Sequence, residues 1–525
     1  MLPRKPRTVV ALAVLLAQLA VAPRARAATA DEIEQKLKAL QEQVDILRKQ
    51  LEQSKTPPPA PAPAAQPPST PAPSPVAQPP LTPEVVPPSS LLSDFRLGGY
   101  GSVRFEASDL KNLNNTFTFR RFVLTGDATI GERLRGLVEL EFERFTELEI
   151  ERSAPSEDGR RGFSQSIEGS DSTELSLEQA WLQFTLTNWA KFQTGMILVP
   201  VGRFNINHDD NRWDLPRRPL VDRGTPVLPT TAAWSEVGLG FNGEIPTENF
   251  GTFNYRVYVM NGVTLDSSIE TVARGSGELE AEVEIAPRRG TANVDLKRDK
   301  AGALRVAWSP VLGSEIGLSG YYGRYTPDFL PSEPIWAIAI DGKTTWGPFE
   351  LEGEYVRTRF EGINRVVRGF GQAVAEQKLE TGLSPLNTTV EFELAGLAST
   401  KQGYWLEGRY RFWPAFLGNS ILGRRLANPQ LIAVARWEQV WLDGLVNAAE
   451  FTGGVVTSID KENRFVDRAT IGLAYRPVPL VVFQMAFERT WTDSGKSLAN
   501  VTNFLPARRT EDTANTFLFG AAFGF

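Results

Sequence analysis

Charged side chains are concentrated in residues 203–234, a stretch that has neither the period of a strand nor that of a helix. It holds five arginines, four aspartates and four prolines, together with the only histidine of the chain. The triplet His208-Asp209-Asp210 has residue types that bind divalent cations, and a histidine can also act as the base of a hydrolase. The candidate site residues of this stretch are Arg203, Arg212, Arg217, Arg218, Arg223, Asp209, Asp210, Asp214 and Asp222.

The rest of the sequence favours neither metal binding nor hydrolysis at His208. With one histidine and no cysteine, the chain offers an incomplete set of metal ligands, and the neighbouring arginines favour ion pairs within the stretch. A barrel hydrolase would need a serine beside His208, and the chain has no G-x-S-x-G element. We therefore expect no catalytic residue, no metal and no cofactor.

The first 27 residues predict a secretory signal. Arg4, Lys5 and Arg7 precede a mainly apolar core, Val9–Ala22, and small residues follow at the cleavage site. The net charge of −6 gives no indication of a nucleic-acid partner. Because no segment reaches 18 consecutive apolar residues, a membrane-spanning form of this chain has to be a β-barrel.

Two segments of unusual composition follow the signal. In residues 28–53, apolar residues recur at alternating spacings of four and three, at Ile33, Leu37, Leu40, Val44, Leu47 and Leu51. This seam predicts a short coiled coil that associates subunits, with a solvated helical spacer as the alternative. Residues 54–90 contain 15 prolines, which predicts an extended linker without a core of its own.

Residues 91–525 alternate between apolar and polar side chains in a way that predicts an all-β fold. We expect about 16 strands near 95–106, 116–130, 133–145, 174–187, 189–199, 234–246, 250–261, 303–310, 314–325, 334–346, 348–361, 400–413, 429–442, 464–476, 479–492 and 514–525. Short turns alternate with long polar loops at 146–173, 262–302, 362–399 and 443–463. This pattern is typical of a transmembrane antiparallel β-barrel of the outer membrane.

A water-soluble β-sandwich is the alternative, since its strands also alternate. Heavily charged polar faces and aromatic residues at strand ends argue against it. The last strand strengthens the barrel prediction, because aromatic residues occupy one face at Phe517, Phe519, Phe523 and the terminal Phe525. Such an ending resembles the signal that the barrel assembly machinery of Gram-negative bacteria recognises.

A barrel of about 16 strands predicts an aqueous lumen, and residues 203–234 follow its fifth strand. Four prolines stiffen this loop, so it is a candidate for the constriction of a pore. Exposed, solvated charges at Arg217 and Arg218 are the alternative. The polar strand faces carry twelve basic against thirteen acidic residues, a mixed wall. Its lumen-lining candidates include Arg121, Arg135, Arg256, Arg409, Arg411, Arg436, Glu350, Glu352 and Glu354.

The chain resembles the phosphate-selective porin O and P family in three segments. These are the heptad helix with its linker, "FTFRRFVLTGDATIGERLRGLVELEFE" (117–143) and "AWLQFTLTNWAKFQTGMILVPVGRF" (180–204). The resemblance implies a homotrimeric channel among outer-membrane lipid and lipopolysaccharide, with arginines lining the pore in anion-selective members.

The function predicted from the sequence is passive diffusion of small hydrophilic or ionic solutes, including anions such as phosphate. The mixed wall leaves the sign of the selectivity open. The alternative function is a structural tether, in which a periplasmic coiled coil and linker join the outer membrane to the cell wall.

Overall fold

The computed structural model describes residues 92–110, 115–144, 147–152, 165–170, 173–222, 226–273, 279–290, 295, 297–376, 389–393, 397–452, 455–493, 498 and 511–525. All of them belong to one compact unit, Val85–Phe525. The predicted signal, coiled coil and linker lie outside the described residues and stay predictions.

Alternating side chains form 21 strands in the described part of the chain. They are β1 (Leu92–Ser108), β2 (Thr116–Ile130), β3 (Leu134–Arg144), β4 (Glu147–Arg152), β5 (Gln165–Ser170), β6 (Thr173–Thr187), β7 (Ala190–Leu198), β8 (Ser235–Thr247), β9 (Gly251–Met260), β10 (Thr264–Ala273), β11 (Leu279–Arg288), β12 (Ala301–Ser309), β13 (Glu315–Arg324), β14 (Pro334–Trp346), β15 (Phe349–Phe360), β16 (Thr389–Glu393), β17 (Ala398–Phe412), β18 (Gln430–Thr452), β19 (Val455–Val478), β20 (Val481–Thr492) and β21 (Thr513–Gly524). The helices are α1 (Arg203–Ile206) and α2 (Ile363–Glu376), with 3-10 turns at Asp210–Arg212 and Ala415–Leu417.

Sixteen of the described strands close into one antiparallel barrel. Neighbouring strands around the wall run in the order β1, β2, β3, β6, β7, β8, β9, β12, β13, β14, β15, β17, β18, β19, β20 and β21. The first strand, β1, also pairs with the last, β21, over nine residue pairs from Tyr100↔Gly524 to Ser108↔Thr516. The predicted barrel of about 16 strands is confirmed, and each predicted strand overlaps one strand of the wall.

The barrel wall is apolar outside and charged inside. In β12, the exposed Leu304 and Val306 alternate with the buried Arg305 and with small alanines. In β15, the exposed Leu351 lies between the buried carboxylates Glu350 and Glu352. This polarity is the reverse of that in a soluble sandwich and matches a wall that faces hydrocarbon.

The two ends of the barrel differ in the length of their connections. At one end, which we call the short-turn end, strands are joined by residues 131–133, 188–189, 248–250, 347–348 and 479–480. One connection there is long, the 17 residues 413–429 between β17 and β18. The other end, the long-loop end, carries residues 199–234, 261–300 and 361–397.

The long-loop end contains more strand than the sequence pattern predicts. The predicted loop 443–463 is largely a continuation of β18 and β19, which reach 23 and 24 residues. The predicted loops at 146–173 and 262–302 contain the hairpins β4–β5 and β10–β11. Pairing above the wall explains this, because β16 lies between β11 and β18 and satisfies the backbone groups of both.

No helix in the described residues is long and apolar enough to cross a membrane.

Glycine allows close approach at the seam where the barrel closes. A Cβ at Gly99 in β1 would lie 2.0 Å from the carbonyl oxygen of Val123 in β2. We expect Gly99→Ala to lower the free energy of unfolding by about 1–3 kcal/mol through overpacking. Urea titration, followed by unheated gel electrophoresis of the folded barrel, measures this.

Gly302→Ala is the matched control, because a Cβ at Gly302 would meet no atom within 4 Å. We expect a change of less than about 0.5 kcal/mol there. Equal losses for both variants would contradict the role assigned to Gly99.

Candidate pore constriction

Residues 199–234, which connect β7 and β8, fold into the barrel. The segment passes through α1 and the 3-10 turn at Asp210–Arg212 before it returns to β8. Phe204, Val221 and Trp234 are fully buried, although they belong to a connection between strands. Of the nine candidate residues in this loop, Arg223 lies outside the described residues, and the other eight lie within the barrel.

Asn205 holds the two ends of the loop together. Its side-chain amide donates hydrogen bonds to the carbonyl oxygens of Val199, at 2.8 Å, and Trp234, at 3.1 Å. Its Oδ1 accepts a hydrogen bond from the backbone N–H of Trp234 at 2.8 Å. The fully buried side chain of Asn205 therefore joins Val199, at the start of the loop, to Trp234, at its end.

The loop turns into the lumen at Gly202. This residue has a positive φ of 77°, and a Cβ on it would lie 2.5 Å from Oε1 of Glu354. The backbone N–H of Gly202 donates to Oγ of Ser319, and that of Phe204 donates to Oε2 of Glu354 at 2.7 Å. The buried carboxylate of Glu354 thus accepts a hydrogen bond at the start of α1, which positions the loop against β13 and β15.

Arg203 pairs with acids of three neighbouring wall strands. Its Nε lies 2.5 Å from Oε1 of Glu352 in β15, and its Nη1 lies 2.7 Å from Oε1 of Glu315 in β13. Asp341 in β14 is 3.9 Å away and also pairs with Arg305. One guanidinium therefore fixes this side of the loop to β13, β14 and β15.

Asp210 makes the corresponding contacts on the opposite side of the barrel. Its carboxylate accepts a hydrogen bond from Oγ of Ser102 in β1 at 2.7 Å and lies 3.5 Å from Nε of Arg121 in β2. Arg218 of the same loop is 3.4 Å from the other oxygen. Burial alone would raise the pKa of Asp210, but Arg121 and Arg218 hold that pKa well below its usual value.

Arg217 and Asp214 join the loop to three further wall strands, β17, β19 and β20. Nε of Arg217 lies 3.0 Å from Glu488 in β20, and Asp214 lies 2.7 Å from Arg476 in β19. Asp214 is also 3.4 Å from Arg409 in β17. Arg218 is buried and the Arg217 side chain is 10% exposed, so neither has the exposure of a solvated charge on an outer loop.

Charged wall residues also bind the backbone of the loop. Glu438 in β18 accepts the N–H of Leu220 at 2.8 Å. Arg436 in the same strand donates to the carbonyl oxygen of Arg217, and Arg468 in β19 donates to that of Arg218 at 2.7 Å. Buried backbone groups need such partners where no strand supplies them.

His208 is a buried cation paired with the wall. Its Nδ1 donates to the carbonyl oxygen of Asn205 at 2.9 Å, and its Nε2 lies 3.5 Å from Glu178 in β6. Burial alone would lower the pKa of His208, but the carboxylates of Glu178 and Asp209 raise it to about 9. Because both ring nitrogens face these partners, the ring is not presented to a serine hydroxyl.

The triplet His208-Asp209-Asp210 does not converge on one point. Asp209 pairs with Arg212 at 2.8 Å, whereas Asp210 faces Arg121 and Arg218. Across the described residues, no group of three or more histidine or acidic side chains is placed to hold a metal ion. The two aspartates instead form ion pairs with arginines, as the sequence favours.

The remaining wall candidates lie at different depths. Arg135 pairs with Asp127 near the short-turn end, away from the loop. Arg256 is half-buried and opposite Arg305 in the sheet register. Glu350 is shared by three cations, Arg409, Arg411 and Lys343.

The loop and its ion pairs occupy the middle of the lumen that the strand number predicts. Towards the long-loop end, apolar residues of the loop such as Val227 and Leu228 belong to the same buried cluster as Ile363, Val366 and Phe370 of α2. Towards the short-turn end, two cavities of about 370 Å³ and 540 Å³ border the loop and share Arg212, Arg476 and Pro479 in their linings. We call these two cavities the vestibule.

Several residues of this site escape the charge pattern on which the sequence prediction rests. Asn205, Ser102 and Ser319 are neutral, and their roles depend on partners more than twenty residues distant in sequence. Trp213 packs against Phe204 and Trp405 and donates its indole N–H to the carbonyl oxygen of Asn207. For Trp213, the signal in the sequence is the presence of a large aromatic residue within a charged loop.

Comparison with known proteins gives distant likenesses. No family model matches the chain. An uncharacterized protein of Aquifex aeolicus (strain VF5) is 26% identical over 167 residues, which make up 32% of this chain and 32% of that protein. The match therefore spans about a third of the length of this curated relative.

Solved structures similar to this chain include three outer-membrane proteins. An anion-selective porin from Comamonas acidovorans has a TM-score of 0.44 at 11% identity, over 82% of this chain and 99% of that one. Salmonella typhi OmpF in complex with daunomycin and the outer membrane channel DcaP of Acinetobacter baumannii have TM-scores of 0.42 and 0.40, both at 10% identity over 82% of this chain and 97% of theirs. With TM-scores below 0.5 these likenesses carry no inference, and the fold is read from the strand pairing itself.

Arg409 and Arg411 form a matched pair for testing the buried ion pairs. Both extend from β17 to Glu350, but Arg409 is 4% exposed and also contacts Asp214, Glu352 and Glu407, whereas Arg411 is 31% exposed. We expect Arg409→Gln to lower the free energy of unfolding by about 3–5 kcal/mol, since it leaves buried carboxylates without their cation. We expect less than about 1 kcal/mol for Arg411→Gln. Urea titration of the detergent-solubilised barrel measures both, and similar values would contradict the assigned burial.

The His208–Glu178 pair predicts a pH dependence of stability. Because the pKa of His208 in the folded chain, about 9, lies above its ordinary value of 6.5, the pair stabilises fully below about pH 6.5. Its contribution is lost as the pH rises to 9 and beyond. We expect the stability difference between wild type and His208→Gln to shrink over that interval in thermal unfolding. A difference that stays constant would show that the histidine is neutral throughout.

Proposed function

We propose that this protein is an outer-membrane porin of a Gram-negative cell, through which small hydrophilic solutes, with a preference for anions such as phosphate, diffuse passively. The observation that carries the proposal is a charged loop folded inside a closed barrel whose outer face is apolar. Such a barrel has no role in water, because its exposed apolar wall would aggregate. In this function the loop residues Arg203, Arg212, Arg217, Arg218, Asp209, Asp210, Asp214 and Asp222 form the constriction.

The charges that line the 370 Å³ cavity of the vestibule support the preference for anions. The 370 Å³ cavity is lined by six cationic side chains and three carboxylates, a local excess that the whole-wall count hides. Its carboxylates, Asp214, Glu350 and Glu352, are at most 7% exposed. Arg212, Arg411 and Lys343 are at least 30% exposed and therefore meet the solute. Cationic donors at a narrow point favour anions.

The second cavity is closer to neutral. It is lined by Arg212, Arg476 and His208 together with Glu139 and Asp209. A solute that leaves the cationic cavity along this side would meet acids as well as bases. The proposal is therefore a preference for anions, set mainly by the cavity that borders Lys343 and Arg411.

The proposed orientation rests on the direction of the first and last wall strands. β1 begins and β21 ends at the short-turn end, and short turns of outer-membrane barrels face the periplasm. In this orientation the predicted coiled coil lies in the periplasm and holds a homotrimer, the long-loop end faces lipopolysaccharide, and the strand that ends at Phe525 engages the assembly machinery. The tether to the cell wall rests on residues 28–90, outside the described chain, and nothing in the described barrel favours it.

Planar-bilayer recordings test the channel and its sign of selectivity together. We expect a conductance that is low for a barrel of this width, because the loop fills its middle, and a reversal potential in a salt gradient of the anion-preferring sign. Lys343→Gln with Arg411→Gln should shift that potential towards cations by removing two exposed charges of the vestibule.

Arg96→Gln with Arg133→Gln is the control, since both arginines are exposed at the short-turn end outside the two vestibule linings. This variant should keep the wild-type potential. A wild-type barrel without measurable current would overturn the channel, and a cation-preferring one would overturn the preference for anions.

A further inference from the structure

The long connection at the short-turn end, residues 413–429, is an ordered structure on the outside of the barrel. Trp413 stacks on Tyr475 at 6.2 Å, and the hydroxyl of Tyr475 donates to the carbonyl oxygen of Leu422 at 2.5 Å. Tyr475 belongs to the outer face of β19, where it also stacks on Phe483. Trp413 and Leu422 of this connection therefore lie against the lipid-facing side of the barrel, whereas Asn428 near its end lines the 370 Å³ cavity.

Internal contacts fix the conformation of this segment. After the 3-10 turn at Ala415–Leu417, the hydroxyl of Ser420 donates to the carbonyl oxygen of Leu417, and the N–H of Arg424 donates to that of Ser420. Gly423 is buried, and a Cβ on it would lie 2.3 Å from the carbonyl oxygen of Leu417. The side chains that the segment exposes are thus presented in a defined arrangement.

Those exposed side chains are of two kinds. Phe416 is 79% exposed and Ile421 is 93% exposed, so the segment presents two large apolar side chains at its surface. Arg424 and Arg425 follow two residues after Ile421 and are exposed, and no ion pair is found for either of them among the described residues. Residues 413–429 contain no acid, so the two guanidiniums have no local counter-charge.

We propose that residues 413–429 bind an anionic phospholipid of the periplasmic leaflet. Phe416 and Ile421 contact its acyl chains, and its phosphate is bound by Arg424 and Arg425. Arginine pairs with phosphate through two parallel hydrogen bonds, and each basic residue near an anionic surface strengthens binding. A second copy of the barrel is the other occupant that the apolar residues fit, and the number of subunits distinguishes it from a lipid. The proposal rests on the membrane placement proposed above and not on conductance.

Native mass spectrometry of the complete protein in detergent tests this site by titration with phosphatidylglycerol and, separately, phosphatidylcholine. We expect the wild type to retain phosphatidylglycerol in preference. Arg424→Gln with Arg425→Gln should weaken that binding by about tenfold or more. Phe416→Ser with Ile421→Ser should weaken the binding of both lipids. The control Arg96→Gln with Arg133→Gln removes two exposed arginines from the same end and should bind phosphatidylglycerol within about twofold of wild type.

Equal binding by the wild type and the Arg424–Arg425 variant would overturn the proposal, as would an equal loss in the control. A change in the number of subunits in either segment variant would also overturn it, because the segment would then be a subunit contact. Unheated gel electrophoresis verifies that each variant is folded. If the wild type carries no current but its lipid binding still depends on Arg424 and Arg425, the porin proposal fails and this one stands.

Discussion

The closed ring of backbone hydrogen bonds is the constraint on which the other features depend. A sheet edge cannot be left unpaired in hydrocarbon, and the pairing of β1 with both β2 and β21 removes it. Closure then divides every strand into an outer and an inner face. Because the outer face takes the apolar residues, the charged residues of sixteen described strands are directed into one enclosed space, where they need partners.

The loop of residues 199–234 supplies many of those partners. Its arginines meet wall carboxylates, its aspartates meet wall arginines, and its backbone groups are bound by Glu438, Arg436 and Arg468. A buried ion loses several kcal/mol of hydration, which a well-placed partner offsets. The near equality of bases and acids on the wall therefore has a structural cause, since an enclosed lumen crossed by a charged loop has to be close to neutral where water is excluded.

The barrel is well predicted from the sequence, because each wall strand has a local alternation of apolar and polar residues. All sixteen wall strands follow from that period, as does the position of the charged loop after the fifth. The hairpins at the long-loop end do not, since β16 finds its partners β11 and β18 far away in the chain. The same limit applies within the site, where Asn205 and Ser102 act through distant atoms and carry no pattern of their own.

Net charge along the chain and charge presented to a solute are different quantities in such a lumen. Glu350 counts as one acid on the wall, yet it is buried beneath Arg409, Arg411 and Lys343. Arg212, by contrast, is 58% exposed in the vestibule and keeps most of its surface for solvent. Burial thus removes a larger share of the acids than of the bases from the solvent-exposed surface of the 370 Å³ cavity. A wall that is balanced by count can therefore present a positive field at the point where a solute meets the loop.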